Sequence, residues 1–137
     1  MSRTTFCHFL IASCAGLILA GCSGPDIPSL GQVQGVVTLD GAPYPNARVT
    51  FTPAQGRPSD GVTDSSGKYE LTYMADVKGA QLGDHTVSIT TQYQAPENPG
   101  DAPPFKEPLP AKYHERSTLK ATVNKGENQH DFQLVSK

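Results

Sequence analysis

Beyond residue 21, no stretch of the chain carries apolar side chains at a 3.6-residue spacing for three helical turns, whereas period-2 alternation recurs. Ala47, Val49 and Phe51 alternate with Arg48, Thr50 and Thr52, and Tyr69, Leu71 and Tyr73 with Lys68, Glu70 and Thr72. Val87, Ile89, Thr91 and Tyr93 share a third face; Leu119, Ala121 and Val123, then Phe132 and Leu134, supply the last. Turn chemistry separates these runs: Asp40-Gly41, Asp64 to Gly67, and Asn124 to Asn128. The pattern predicts an all-β domain of six or seven short antiparallel strands, each with one buried face. A two-sheet sandwich is the simplest way to cover such faces.

Two hairpins are expected. In one, Val62-Thr63 pairs with Lys68 to Tyr73, Asp64 accepting turn N–H groups and Gly67 taking a positive φ. In the other, Ser117 to Val123 pairs with Gln129 to Val135. Met74 to Asp84 reads as a connector. Residues 94–112 hold six prolines, which cannot donate to a ladder, so this segment reads as a long surface excursion.

The N-terminus follows a different logic. Arg3 precedes an apolar run over residues 6–20, "FCHFLIASCAGLILA", short for a membrane span but of the length of a secretory signal. All three cysteines, Cys7, Cys14 and Cys22, lie in the first 22 residues, so the remaining chain folds without a disulfide or a cysteine metal site. Leu19-Ala20-Gly21-Cys22, closing the apolar run, resembles the lipobox of bacterial lipoproteins. The resemblance implies signal cleavage before Cys22 and a diacylglycerol, palmitate-type anchor on its sulfur, with Leu19, Ala20 and Gly21 recognised by the signal peptidase. One acyl chain holds a protein only marginally, and two or more hold it stably. Residues 1–21 are thus expected to be a lipoprotein signal peptide, helical in form. Residues 22–32 are a lipidated tether and residues 33–136 the domain. The expected location is the cell envelope, facing the periplasm or the cell surface.

The whole chain has 11 Lys and Arg, one of them Arg3, against 13 Asp and Glu. These charges are scattered and form no basic stripe, which argues against nucleic acid as a partner.

The order of three segments is more specific than any one of them. "GVVTLDGAPYPNARVTFTP" (35–53), "GVTDSSGKYEL" (61–71) and "GAQLGDHTVSIT" (79–90) resemble the carboxypeptidase regulatory-like, or transthyretin-like, domain family. The closing "PAKYHERSTLKATVNKGENQHDFQL" (110–134) resembles the ending of small planctomycete-like lipoproteins of this type. The resemblance implies a prealbumin-like sandwich of about seven strands. It also implies an accessory, spacing or binding role rather than catalysis.

The chemistry-bearing residues are sparse. His85, His114 and His130 lack the close spacing of a zinc site, Asp40, Asp60 and Asp64 lack a calcium-loop pattern, and no Gly-x-Ser-x-Gly elbow is present. No metal, cofactor or enzymatic activity is therefore expected. Tyr44, Tyr93, Phe105 and Tyr113 lie in or beside loops and are the candidates for ligand contact, since exposed rings stack on sugars or partner proteins. Two readings follow. The first is a non-catalytic, lipid-anchored structural or protein-interaction module, which predicts no exposed aromatic cluster and no concave polar pocket. The second is a carbohydrate-binding accessory module, which predicts that two or more of the four aromatics form a flat exposed platform. The expected partners are the membrane and an envelope protein or glycan.

Overall fold

A computed structural model describes Gly24, residues 26–98, Gly100 and residues 102–137. The signal segment, its helix, Leu19, Ala20, Gly21 and Cys22 lie outside the described residues. Twelve strands follow in chain order: β1 (Leu30–Leu39), β2 (Ala42–Pro43), β3 (Ala47–Pro53), β4 (Ser59–Val62), β5 (Lys68–Glu70) and β6 (Thr72–Met74), then β7 (Val77–Lys78), β8 (Ala80–Gln81), β9 (Gly83–Thr91), β10 (Lys120–Val123), β11 (Glu127–Gln129) and β12 (Phe132–Leu134). Among the described residues there is no α-helix, and a 3-10 turn lies at Ala111–Tyr113. No helix among them is long and apolar enough to cross a membrane.

The strands form two sheets of an all-β sandwich. The first is organised around β1, whose antiparallel partners are β8, β5 and β2 in turn, while β11 and β12 join it in parallel. The second runs β10-β9-β3-β4-β6-β7, with β3 and β9 paired in continuous register from Ala47↔Thr91 to Pro53↔His85. The alternating residues do what their period requires. Val33 and Val37 of β1 face Val49, Phe51, Val87 and Ile89 of the second sheet, all at most 1% exposed. Each such burial contributes about 1.5–3 kcal/mol of hydrophobic stabilisation.

Three expectations change in detail. The strand count rises from about seven to twelve because β2, β7 and β8 form in segments read as a turn or a connector, and because two runs that read as single strands are each divided, into β5 and β6 and into β11 and β12. Lys68 to Met74 is one such run: β5 pairs with β1, Leu71 N–H donates to Val33 O, and β6 then pairs with β4. The Asp64–Gly67 turn forms, but it joins β4 of one sheet to β5 of the other and so is a corner rather than a hairpin.

The closing hairpin does not form either. β10 pairs with β9, while β11 and β12 pair with β1 across the sandwich. Both arms bury the faces their alternation marks, yet they belong to opposite sheets. Period-2 alternation specifies the buried face and leaves the neighbouring strand undetermined. Asn128 fixes this crossing: its side-chain oxygen accepts from Asn124 N, and its amide donates to Gln32 O at 3.0 Å and Asn124 O at 2.8 Å.

The turns obey local rules. Asp40 and Gly41 have φ of 51° and 85°, the pair of positive values that a two-residue β1–β2 connection needs. Thr63 locks the next corner, its hydroxyl accepting from Ala47 N and donating to Tyr44 O.

The topology also gives the sandwich two distinct poles. β1 starts at one end, beside Gln81 and Gly126, and finishes at the other, beside Ala42 and Leu134. The described N-terminal residues enter at the first pole. The Pro-rich excursion leaves from Thr91, opposite Ala47, at the second.

Candidate functional site

The excursion is anchored by a residue that sequence reasoning did not single out. Glu107 accepts from Thr91 N–H at 2.9 Å, from the Thr91 hydroxyl at 2.7 Å and from Leu109 N–H at 3.1 Å. With its proton committed to that carboxylate, the Thr91 hydroxyl accepts from the Tyr44 phenol at 2.7 Å. The returning chain then docks: Leu109 and Tyr113 are 3% and 7% exposed and belong to the core.

These contacts sort the four candidate aromatics. Tyr113 is corrected: it is buried, and its hydroxyl accepts from Val135 N–H at 3.0 Å, so its ring offers no face to a ligand. Tyr44 is half-buried against the core, with its hydroxyl committed to Thr91. Tyr93 and Phe105 are 44% and 43% exposed and are brought together, centroids 4.4 Å apart and planes 21° from parallel. The rings stack face to face rather than side by side, so each presents its outer face.

Several concave regions are present among the described residues, counter to what a module without a ligand site predicts, and two of them concern the chemistry-bearing residues. The larger, about 690 Å³, lies along β3, β9 and β10 at the first pole, and its lining includes Thr52, Asp84, Thr86, Lys120, Thr122 and His130. Its ionic groups are already partnered: Lys120 donates to Thr86 at 2.7 Å and Asp84 accepts from Thr122 at 2.6 Å. His85, also in its wall, faces inward with its Nε2–H donating to Gln81 O at 2.7 Å, while Asp84 points outward. The Asp84-His85 pair thus makes no catalytic relay. His85 and His130 pack on Phe51 with centroids 5.7 Å away in each case. Among the described residues no group of three His, Cys, Asp or Glu is placed to hold a metal.

The second concavity, about 480 Å³, lies at the far pole and is lined by Asn46, Val62, Gln92 and Gln94. Asn46 sits at φ 55°, a left-handed conformation that asparagine tolerates well, and its carbonyl accepts from Gln92 N–H at 2.7 Å. Asp60, beside this face, is paired with Arg48 at 2.9 Å, and Asp64 is consumed by its own turn. Hydrogen bonds from the Ser66 hydroxyl, and from Lys68 and Ser66 N–H, hold the Asp64 carboxyl below its ordinary value. Burial pushes the Tyr69 phenol up, and that hydroxyl donates to His130 O at 2.6 Å inside the sandwich.

Fold and site together define a two-sheet β-sandwich module. No protein-family model matches the chain, and a search of curated proteins finds no match. Among solved structures the chain is similar to a DUF3823 family protein from Parabacteroides merdae ATCC 43184, with 12% identity and a TM-score of 0.45. That similarity covers 79% of this chain and 47% of the other, so the chain spans about half the length of that protein. Likeness at this level says nothing of function.

Proposed function

We propose that the chain is a non-catalytic extracytoplasmic lipoprotein, a β-sandwich interaction module tethered to a membrane through Cys22. The observation that carries this reading is polarity. The described chain enters at one pole, and in sequence it follows the segment that resembles a lipobox. Among the described residues, four of the five large exposed hydrophobic residues (Val62, Tyr93, Phe105 and Val135) belong to the other pole; the fifth, Ile27, is on the tether. A tethered module presents its contact surface away from the bilayer. Cys22→Ser is expected to abolish lipid attachment and move the protein from the membrane to the soluble fraction. An unmodified mature N-terminus in the wild type, read by mass spectrometry, would refute the anchor.

The carbohydrate-binding reading has its own support in the exposed Tyr93–Phe105 stack. An exposed aromatic cluster was not expected of the first reading and a flat platform was expected of the second; the two rings are exposed but stack on each other. A glycan-binding accessory module places such rings on a rigid frame, which the Glu107 clamp supplies.

A further inference from the structure

We infer that the far-pole groove of Asn46, Val62, Gln92 and Gln94 binds a neutral saccharide chain, with Tyr93 and Phe105 beside it as an apolar flank. This rests on the carbohydrate reading of that pole and supplies the polar half of a site that stacked rings alone would leave incomplete.

Charge is the first argument. The groove is lined by three carboxamides and one aliphatic side chain, with no ionised group among them. The closest ion pair along β3 and β4, Arg48–Asp60, is internally satisfied. A phosphate, a carboxylate-rich polymer or a basic peptide would meet no ionised group in the lining itself, and Arg48, opposite Val62, is engaged by Asp60. An uncharged ligand needs no counter-charge.

Hydrogen-bond chemistry is the second. A carboxamide presents an acceptor oxygen and a two-proton donor nitrogen in one plane. Sugar hydroxyls both donate and accept, and vicinal pairs of them match that geometry. Sugars also carry apolar C–H faces. Val62 is 38% exposed in the groove, and Tyr93, which lies between Gln92 and Gln94 in the chain, stacks on Phe105 with both rings partly exposed. Ligand sites combine an apolar surface with a few fixed polar groups in this way.

Preorganisation is the third. Asn46 is held by its N–H to Thr63 O at 3.1 Å and by its carbonyl to Gln92 N–H. Thr91, one residue before Gln92, is clamped by Glu107. Groups fixed before the ligand arrives lose little entropy on binding.

The test uses the purified full chain in detergent, titrated by calorimetry with neutral gluco-, manno-, galacto- and xylo-oligosaccharides. Saturable binding of at least one series is expected. Gln92→Ala with Gln94→Ala should weaken that binding about tenfold, as expected for the loss of two hydrogen-bonding side chains. Tyr93→Ala with Phe105→Ala should weaken it comparably, and neither pair should alter the unfolding midpoint by more than a few degrees. Asn46→Gly, which keeps the backbone conformation, provides a third variant. No binding by any series, or binding indifferent to the glutamine pair, overturns the inference, as does competition by an unrelated peptide at the same groove. Parallel titration of Cys22→Ser separates the readings: its binding should equal wild type, so loss of the anchor and loss of the groove are scored independently.

Discussion

Gly35 lies where the parallel strands β11 and β12 break at His130. A Cβ there would stand 1.8 Å from His130 O and 2.9 Å from Tyr69 Cε1, at a φ outside the left-handed range, so the requirement is for space alone. His130 cannot readily retreat, because its N–H donates to Gln34 O and its carbonyl accepts the Tyr69 phenol. Gly35→Ala is expected to destabilise the domain by at least about 1–3 kcal/mol, seen as a lower urea midpoint with an unchanged m-value. Asp64 gives a prediction of opposite character. Its folded pKa is depressed, so its contribution is fully present above the unfolded value near about 4 and is lost as pH falls through the lower folded value. The difference in unfolding free energy between wild type and Asp64→Ala should be constant from neutrality to about pH 5 and shrink below about pH 4. Urea titrations across that range check it, since the other carboxylates are common to both proteins. Asp64 was legible in the sequence because an Asx turn closes within four residues. Gly35 was not, because the atom it must avoid comes from 95 positions away.

At the scale of elements, the same division between local and distant partners explains what could be read. Six prolines between 94 and 112 announce a segment without a ladder, and that much holds for its exposed portion. Nothing in a period or a turn signal shows that Glu107 will satisfy Thr91, or that Leu109 and Tyr113 will return to the core. Alternation likewise marked Ala121, Val123 and Leu134 as buried while leaving open which sheet receives them. The clamp makes a direct prediction. Glu107→Ala strands the N–H groups of Thr91 and Leu109 and should cost about 1–3 kcal/mol. It should also free the base of the excursion, so that limited proteolysis cuts between residues 94 and 106 faster than in wild type while the sandwich resists. Tyr44→Phe removes only the outermost bond of the chain and should leave that cleavage rate close to wild type. Equal cleavage of wild type and Glu107→Ala would show that the stacked Tyr93–Phe105 pair holds the excursion by itself.

For the whole molecule, the consequence of the topology is orientation. β1 spans ten residues from the tether to the far pole, about 33 Å at the rise of an extended strand. β3 and β9 run alongside it, so the two ends of the sandwich are joined by continuous ladders rather than by a hinge. Lys125, in the turn whose Gly126 carbonyl accepts from Gln32 N–H, marks the tether pole. Ser65, in the Asp64–Gly67 turn beside Val37, marks the other end. Lipid at Cys22 would hold the first near the headgroups and leave the second exposed to solvent. Fluorophores on Lys125→Cys and Ser65→Cys, in lipidated protein on vesicles doped with a headgroup quencher, should report this directly. The Lys125 probe is expected to be quenched strongly and the Ser65 probe weakly, and the contrast should vanish when Cys22→Ser releases the protein. Equal quenching of both probes on the vesicle would mean that the sandwich lies flat and that the far pole, with the groove of Asn46, Gln92 and Gln94, is not held away from the bilayer.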